Sequence, residues 1–352
     1  MSKKIMVDCE RMRYPNTGLY HFCLQLGKAL QAQTDHENEE VGFYLPKAEK
    51  GVFGDEAEEV YRHFIHKHVF PRVSHVNLWH CTYQGTNYYP FNKQIPVVLT
   101  IHDLNFLYDL NQSEKKKKKY LGLLQRKIDH ASHVVAISNY VMEDLRRNLS
   151  LAGKACSVIY NGCNVDDDIP ITVPERTYDK PFLFTIGTIT EKKNFQVLPS
   201  LLVDNDLFLV IAGIEDRANF RQVIEAEARR WGVQDRVIFT GAISENDKKW
   251  HLDNCLAFLF PSIAEGFGLP VIEAMYYGKP VILSKCTSLP EIGGDCAYYF
   301  EDFESDNMRK VLAASLEDYD KNQPAEKIRA RGRSFSWKDA AEKYFALYRS
   351  LY

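Results

Sequence analysis

The chain has 352 residues, a length that favours two domains, and its 45% hydrophobic and 26% charged residues are ordinary for a globular protein. A net charge of −3 argues against a general polyanion-binding protein, and no apolar run reaches the length of a signal peptide or a membrane span. The eight scattered cysteines form no CxxC pair, which indicates reduced cysteines in a cytoplasmic protein. Secreted, membrane-spanning and zinc-finger classes are therefore excluded.

Short runs rich in β-branched and aromatic residues alternate along the chain with longer amphipathic stretches, a pattern typical of βαβ units. In the first half, the predicted strands are 4–8, 41–45, 76–80, 97–101, 133–137 and 157–160, and the predicted helices are 17–32, 113–131 and 139–149. In the second half, the predicted strands are 182–186, 207–212, 237–240, 257–260, 281–283 and 297–300. The helices predicted there are 194–202, 219–231, 245–254, 269–277 and 305–316.

An acidic, proline-containing stretch at 164–180 interrupts the alternation and predicts a linker. We therefore expect an α/β protein with two doubly wound domains, 1–165 and 166–334, followed by a final helix in 335–352. Ligands of such sheets bind at the carboxyl ends of the strands. Two domains facing each other across a cleft would bring two sets of strand ends together.

The strongest motif is EGFGLPVIE at 265–273, which follows a predicted strand and begins a helix. Its glycines, Gly266 and Gly268, let the backbone approach a ligand closely, and a helix N-terminus favours a phosphate. Glu265 and Glu273 flank that turn, so one carboxylate can meet a sugar hydroxyl and the other a ribose. The pattern predicts a nucleotide-sugar site that also includes Phe267 and Leu269.

This motif and several others resemble the retaining, metal-independent glycosyltransferases of family 4, which have the two-domain GT-B fold. The other matching elements are TIHDL at 100–104, NG at 161–162, GTITEKKN at 187–194, GKPVI at 278–282 and LPEI at 289–292. The resemblance runs nearly end to end. It implies that the first domain binds the acceptor, that the second binds the donor, and that the final helix crosses back to the first domain.

The resemblance also implies roles for single residues. Lys192 and Lys193 would neutralise the leaving diphosphate, although the family usually has arginine at position 192. Gly187 and Thr188 belong to the same phosphate-binding element, and Gly18 resembles the family's first glycine loop.

Outside the phosphate-binding elements, the resemblance assigns a histidine that contacts the donor sugar. His102 follows a predicted strand and is that candidate. Asp103 and Ser262 are expected to support the site. With Glu265 and Lys193, His102 completes the residues expected to carry the catalytic chemistry.

The predicted activity is a retaining hexosyltransferase that uses a nucleotide-diphosphate sugar and no metal or other cofactor. GDP-mannose is the leading donor, because the lysine-containing element resembles mannosyltransferases of lipopolysaccharide and capsule biosynthesis. A UDP-sugar donor, a sugar-nucleotide epimerase and a non-catalytic sugar-nucleotide-binding module remain alternatives. The DxD-like Asp204-Asn205-Asp206 precedes a strand, the wrong end for metal-assisted transfer.

The lysine run Lys115–Lys119 is followed by Tyr120, Leu121, Leu123 and Leu124. It is either a solvated helix face or a surface that binds anionic lipid, which would place the protein peripherally on the inner face of the membrane. Beyond the sugar nucleotide, the expected partner is a glycan or lipid-linked glycan acceptor, and no nucleic acid.

Overall fold

A computed structural model of the chain describes residues 2–15, 17–71, 75–91, 94–109, 112–165, 170–215 and 219–352. The fold has two compact units. The first comprises Met1–Gly162 together with Ser336–Tyr352, and the second comprises Cys163–Phe335. The chain thus leaves the first unit a few residues before the boundary predicted at 165, and it returns there for its last helix.

The first unit contains a parallel sheet with strand order β3-β2-β1-β4-β5-β6-β7. Its strands are β1 (Lys3–Asp8), β2 (Glu39–Leu45), β3 (Glu58–Tyr61), β4 (Val76–Cys81), β5 (Val97–Ile101), β6 (His133–Ala136) and β7 (Ala155–Val158). Its first helices are α1 (Gly18–Gln33), α2 (Glu114–His130) and α3 (Asn139–Asn148). Because helices cover a parallel sheet, inner strands such as β5 are buried along their whole length, and four of the five β5 residues are apolar.

The second unit contains a parallel sheet with strand order β10-β9-β8-β11-β12-β13. Its strands are β8 (Phe182–Ile186), β9 (Phe208–Ala212), β10 (Val237–Gly241), β11 (Ala257–Phe260), β12 (Val281–Ser284) and β13 (Tyr298–Phe300). Its helices are α4 (Arg221–Arg230), α5 (Glu245–Asn254), α6 (Leu269–Tyr276), α7 (Leu289–Gly293), α8 (Ser305–Asn322) and α9 (Ala325–Arg333). Leu183, Leu209 and Leu259 from its central strands are fully buried in one core cluster.

Both sheets are doubly wound. The strand order reverses between β1 and β4 in the first unit and between β8 and β11 in the second. In such sheets, ligands bind outside the carboxyl ends of the strands at the point of reversal. The predicted class of two Rossmann-like α/β domains is confirmed. A ligand site is expected at the reversal point of each sheet.

The last helix, α10 (Trp337–Arg349), packs on α1 of the first unit. Two of its tyrosines join a buried chain of hydrogen bonds. The Tyr344 hydroxyl lies 2.9 Å from Thr100 Oγ1, and the Tyr348 hydroxyl lies 2.7 Å from His80 Nδ1. His80 Nε2 in turn lies 2.8 Å from Thr100 Oγ1, so the helix is tied to the centre of the sheet by polar as well as apolar contacts.

Several elements differ from those predicted. The edge strand β3 was not predicted, since its sequence EEVY has two glutamates and no buried face. The segment Phe195–Leu202, predicted as part of an α-helix, is a 3₁₀ helix with Pro199 inside it. Proline lacks an N–H and clashes with the preceding turn, so a regular α-helix is disfavoured there. Neither α7 nor α9 was predicted. Among the described residues, no helix is both long enough and apolar enough for a membrane crossing.

Candidate functional site

Two loops of the second unit meet at the reversal point of its sheet. One follows β8 and covers 187–194, and the other follows β11 and covers 261–268. The backbone carbonyl of Lys192 joins them, because it accepts hydrogen bonds from the Ile263 N–H at 2.8 Å and from Ser262 Oγ at 3.0 Å. The predicted phosphate-binding element and the predicted EGFGLPVIE motif are therefore neighbours in space.

A buried ion pair lies between these loops. Lys193 Nζ is 2.6 Å from Glu265 Oε1, and only 12% and 13% of the two side chains are exposed. Ser262 Oγ lies 2.7 Å from the same carboxylate oxygen, so its one proton is shared between that oxygen and the Lys192 carbonyl. The ammonium of Lys193 also lies 4.6 Å from the ring centroid of Phe260, a cation–π contact that further restricts its position.

The charges of this pair support each other. Burial raises the pKa of Glu265, but the positive charges of Lys193 and Lys192 outweigh burial and hold that pKa below its ordinary value. Burial lowers the pKa of Lys193, and the carboxylate of Glu265 opposes this effect. The site thus holds an ionised carboxylate beside an ammonium, and each charge favours the charged form of the other.

Glycines make room for the lysine and for the loop that carries it. A Cβ at Gly187 would lie 3.1 Å from Lys193 Cε. A Cβ at Gly213, which follows β9, would lie 2.0 Å from the carbonyl oxygen of Gly187, and Gly213 has φ +134°. Gly213 therefore permits the close approach of the two strand ends at the site.

The helix α6 begins directly after the second loop. Gly268 is its N-cap residue in the left-handed region, with φ 109°, and a proline follows in the first turn. Thr287 Oγ1 accepts a hydrogen bond from the Glu265 N–H at 3.0 Å, which attaches the loop to the segment that follows β12. Ser288 Oγ lies 3.1 and 3.0 Å from the carbonyl oxygens of Glu265 and Phe267, which share its one proton. The N-terminus of α6 and its partial positive charge are thus fixed beside the ion pair.

Glu273 lies within α6 and is 3% exposed. Its two carboxylate oxygens have different partners. Asn164 Nδ2 donates to Oε1 at 2.9 Å, and Lys248 Nζ lies 3.2 Å from Oε2. Lys248 also pairs with Glu245 at 2.8 Å. Burial lowers the pKa of Lys248, but the two glutamates outweigh it and raise that pKa above its ordinary value, so the lysine stays charged.

His102 and Asp103 lie just beyond β5 in the first unit. The His102 ring nitrogen Nε2 is 2.7 Å from the Thr82 carbonyl, which can only accept, so Nε2 carries the proton. Burial lowers the pKa of His102 to about 4, so the ring is neutral and Nδ1 is an acceptor. Asp103 Oδ1 accepts the backbone N–H of Asn105 at 3.0 Å, a turn that shapes this loop.

The other predicted site residues are placed as follows. Gly18 is the first residue of α1, and a Cβ there would meet no described atom within 4 Å, so internal packing does not require a glycine. The remaining predicted donor-binding residues lie on the two loops of the second unit or at the start of α6, namely Thr188, Lys192, Gly266, Phe267 and Leu269.

Sequence reasoning missed the residues that hold the predicted ones in place. Asn164 fell in the predicted linker, and Lys248 fell in the predicted helix 245–254 without a role in the site. Two other missed residues could have been found, because Gly213 directly follows a predicted strand and Thr287 lies within four residues of one, where site residues are expected in this class of sheet. Within the described ranges, no three His, Cys, Asp or Glu side chains are grouped so that they could hold a metal ion.

Two family profiles match the chain. The profile described as Glycosyltransferase Family 4 matches residues 22–167, and the one described as Glycosyl transferases group 1 matches residues 171–335. The two matches follow each other along the chain and correspond to its two halves.

Relatives with curated names include mannosyltransferases. O-antigen chain mannosyltransferase B of Escherichia coli is 24% identical over 288 residues, which cover 76% of this chain and 74% of the relative. O-antigen chain mannosyltransferase RfbU of Salmonella typhimurium is 26% identical over 204 residues, which cover 57% of this chain and 55% of the relative.

Similar solved structures share the fold over the whole chain. Sucrose-phosphate synthase from Thermosynechococcus elongatus has a TM-score of 0.76 at 20% identity and covers 99% of both chains. HepE from Anabaena, solved in complex with UDP and glucose, has a TM-score of 0.71 at 18% identity and covers 99% of this chain and 100% of that one.

Proposed function

The chain belongs to the family 4 glycosyltransferases of GT-B fold, and we propose that it transfers a sugar, with retention of configuration, from a nucleotide-diphosphate sugar to a hydroxyl of a glycan acceptor. The observation that carries this proposal is the buried pair of Lys193 and Glu265 beside the N-terminus of α6. It combines positive charge for a leaving diphosphate with a carboxylate that can accept hydrogen bonds from sugar hydroxyls.

In this proposal, Lys192, Lys193 and the first turn of α6 bind the diphosphate. Charge accumulates on the leaving phosphate oxygen as the bond to the sugar breaks, so fixed positive groups there stabilise the transition state more than the ground state. Two ammonium groups and a helix N-terminus supply the charge that a divalent cation supplies in other transferases, and we therefore propose a metal-independent reaction.

The two glutamates have separate roles. Glu265 binds hydroxyls of the donor sugar, and Glu273 binds the ribose of the nucleotide. A carboxylate oxygen has two lone pairs, so Glu273 can accept a ribose hydroxyl while Asn164 and Lys248 hold it in place. His102 contacts the donor sugar through its unprotonated Nδ1, which accepts from a hydroxyl.

The transfer itself exchanges one bond for another at the anomeric carbon. The bond between that carbon and the β-phosphate oxygen breaks, and the acceptor oxygen forms its bond on the same face. The acceptor proton passes to the departing phosphate oxygen, so the chain need not supply a general base. Lys193 stabilises the negative charge on that phosphate until the proton arrives.

We propose GDP-mannose as the donor and an acceptor in O-antigen or lipopolysaccharide biosynthesis, because two relatives that match 76% and 57% of the chain are named O-antigen chain mannosyltransferases. A UDP-sugar is the alternative, since HepE was solved with UDP and glucose on the same fold. Purified protein should be heated in the presence of EDTA with GDP-mannose, UDP-glucose, GDP or UDP. A ligand at a hundred times its Kd adds about 2.7 kcal/mol to the free energy of unfolding.

Stabilisation by GDP and GDP-mannose alone supports the proposed donor, and stabilisation by UDP compounds alone would replace it with a UDP-sugar. Stabilisation in a parallel sample with Mg²⁺ in place of EDTA, but not with EDTA, contradicts metal independence. The variant Lys192→Gln should lose most of the shift with GDP, whereas Lys285→Gln, which removes an exposed lysine of the same unit, should keep it. Donor consumption without acceptor would indicate an epimerase, and binding without transfer to any glycan would indicate a non-catalytic module.

We also propose that α2 binds an anionic membrane surface. Its lysines 115, 116, 118 and 119 are exposed, and Tyr120 and Leu123 beside them are 39% and 49% exposed. Ammonium groups with interspersed apolar side chains match the phosphates and the interface of anionic lipid. Co-sedimentation with phosphatidylglycerol vesicles should fall at least fivefold when Lys115–Lys119 become glutamine. Binding that is unchanged in this variant, or equal with phosphatidylcholine vesicles, would contradict the proposal.

A further inference from the structure

A second group of cations lies in the first unit, at the carboxyl end of β1. The 3₁₀ segment Glu10–Arg13 follows that strand directly. The guanidinium of Arg11 lies between two aromatic rings, 4.6 Å from the centroid of Tyr14 and 4.7 Å from that of Tyr83. The guanidinium of Arg13 lies 4.4 Å from the same Tyr14 ring. Two positive charges are thus held close together around one tyrosine.

Most N–H donors of these two guanidiniums have no acceptor in the described part of the chain. Neither makes a hydrogen bond to any described residue, and the Nε atoms of both are buried without a hydrogen-bond partner. The nearest carboxylate is that of Glu10, 3.5 Å from Arg13 Nε and 4.0 Å from Arg11 Nη1. Each guanidinium presents five N–H donors in a fixed fork, so one carboxylate at these distances leaves most of them unsatisfied.

The neighbouring carboxylate of Asp8 does not pair with the two guanidiniums. The carboxylate of Asp8 is already engaged, since Oδ2 accepts from Thr86 Oγ1 at 2.8 Å and Oδ1 accepts from the Glu10 N–H at 3.1 Å. Within 4.0 Å, the two guanidiniums therefore share the single carboxylate of Glu10, so positive charge exceeds negative charge over that distance. Unsatisfied, partly buried cations are costly, and such a cost is offset when an anion binds.

The rings around Arg11 are arranged as parts of a binding surface. A Cβ at Gly85 would lie 2.4 Å from the Tyr83 ring, so the missing side chain at 85 lets that ring lie against the loop. The Tyr83 ring centroid is 6.4 Å from that of His102, which places the arginine beside the proposed sugar-contacting histidine. Tyr14 is 41% exposed and offers an apolar face next to the two cations.

We propose that Arg11 and Arg13 bind a phosphate ester of the acceptor, with Tyr14 contacting the sugar or hydrocarbon attached to it. The inference rests on the proposed transferase function and specifies its acceptor as an anionic, phosphate-linked glycan. Guanidinium forks bind phosphate oxygens two at a time, which favours a phosphate over a neutral acceptor. The donor diphosphate has its own cations in Lys192 and Lys193 of the second unit.

The test is a calorimetric titration of the intact protein with geranyl diphosphate, with GDP and UDP present so that the lysine site is occupied. Arg11→Gln/Arg13→Gln should raise the Kd at least tenfold. Arg146→Gln/Arg147→Gln removes the same charge from α3 of the same unit and should change the Kd less than twofold. Arg11→Lys/Arg13→Lys keeps the charge without the fork and should give an intermediate Kd.

Three results would overturn the proposal: unchanged affinity in Arg11→Gln/Arg13→Gln, an equal loss in the α3 control, or inorganic pyrophosphate bound as tightly as the ester. The last result would assign the site to a free anion. Only the fraction of binding lost in Arg11→Gln/Arg13→Gln is scored, so the result stands even if GDP and UDP do not bind. Failure of both nucleotides to bind would instead count against the proposed function. The thermal unfolding of each variant shows that it remains folded.

Discussion

Glu265 is held from three directions. Its carboxylate meets Lys193 and Ser262, its N–H meets Thr287, and its carbonyl meets Ser288. These contacts come from three strand ends of the second sheet, because Lys193 follows β8, Ser262 follows β11, and Thr287 and Ser288 both follow β12. A glutamate fixed in this way loses little entropy when a sugar binds, which is what a positioned ligand-binding group requires.

The Lys193–Glu265 pair should show strong energetic coupling. Either Lys193→Met or Glu265→Gln leaves one buried charge without its partner, and we expect each to lower the free energy of unfolding by about 3–5 kcal/mol. The double variant should lose less than the sum, by about 0.5–3 kcal/mol. Urea unfolding of the four proteins measures this. The exposed pair of Arg146 and Glu143 is the control, and its coupling energy is expected to be about 0.5 kcal/mol. Additive losses would show that the two charges do not interact.

The carboxyl group of Asp8 should make stability depend on pH. Burial, with a smaller contribution from Glu10, raises its pKa from 3.8 in the unfolded chain to about 7 in the fold. The folded state therefore favours the protonated form, and the stability that this contributes is lost as pH rises from about 4 to 7.

We expect the free energy of unfolding of Asp8→Asn to rise relative to that of the wild type over this pH range, by about 4 kcal/mol in total. Above pH 7 the difference should stay constant. Urea unfolding of both proteins from pH 4.5 to 8 measures the difference. His80 and His102 titrate alike in the two proteins and cancel. A difference that does not change with pH would mean that Asp8 titrates normally.

At the scale of elements, α10 is attached to the first sheet by its tyrosines. Tyr348→Phe removes the partner of His80 Nδ1 and leaves a buried ring nitrogen unsatisfied, so we expect a loss of about 1–3 kcal/mol in the free energy of unfolding. Tyr61→Phe removes a hydroxyl that bonds Glu59 at the surface of the same unit and should cost less than about 0.5 kcal/mol. Equal losses of the two variants in chemical denaturation would mean that the buried hydrogen bond of Tyr348 adds no stability.

The close contact of β8 and β9 gives a second prediction at this scale. Gly213→Ala would place a methyl group on the Gly187 carbonyl at an unfavourable φ, and we expect a loss of more than about 2 kcal/mol together with weaker nucleotide binding. Gly122→Ala lies inside α2, where a Cβ meets nothing within 4 Å, and should instead stabilise by about 0.5–1 kcal/mol. Thermal unfolding distinguishes them, and a tolerated Gly213→Ala would show that the strand ends can separate.

The elements that could be predicted are those whose environment is uniform. Buried parallel strands such as β5 and β8 have four apolar residues out of five, and their predicted and observed bounds agree. β3 was missed because an edge strand need not be apolar. The site loops could be predicted because they follow strands. Asn164 could not, because its contact with Glu273 joins residues 109 positions apart, and local sequence carries no signal of such a contact.

At the scale of the whole molecule, the two units differ in continuity. The second unit is a single stretch, Cys163–Phe335, whereas the first needs Ser336–Tyr352 as well. We expect fragment 163–335 to fold alone, with cooperative unfolding and dispersed amide resonances. Fragment 1–162 lacks the six side chains that α10 buries and should be unstable unless 336–352 is supplied as a peptide. Equal stability of fragment 1–162 with and without that peptide would contradict this expectation.

This arrangement has a consequence for the order of events on the ribosome. The first unit begins to emerge first, but the tyrosines that complete its buried hydrogen-bond chain come from α10 and are added after the second unit has been translated. The second unit can therefore reach its native state while the first still has His80 without its partner. Nascent chains of this protein should finish folding from the middle outward, and a stalled chain ending before Trp337 should be a chaperone client through its first half.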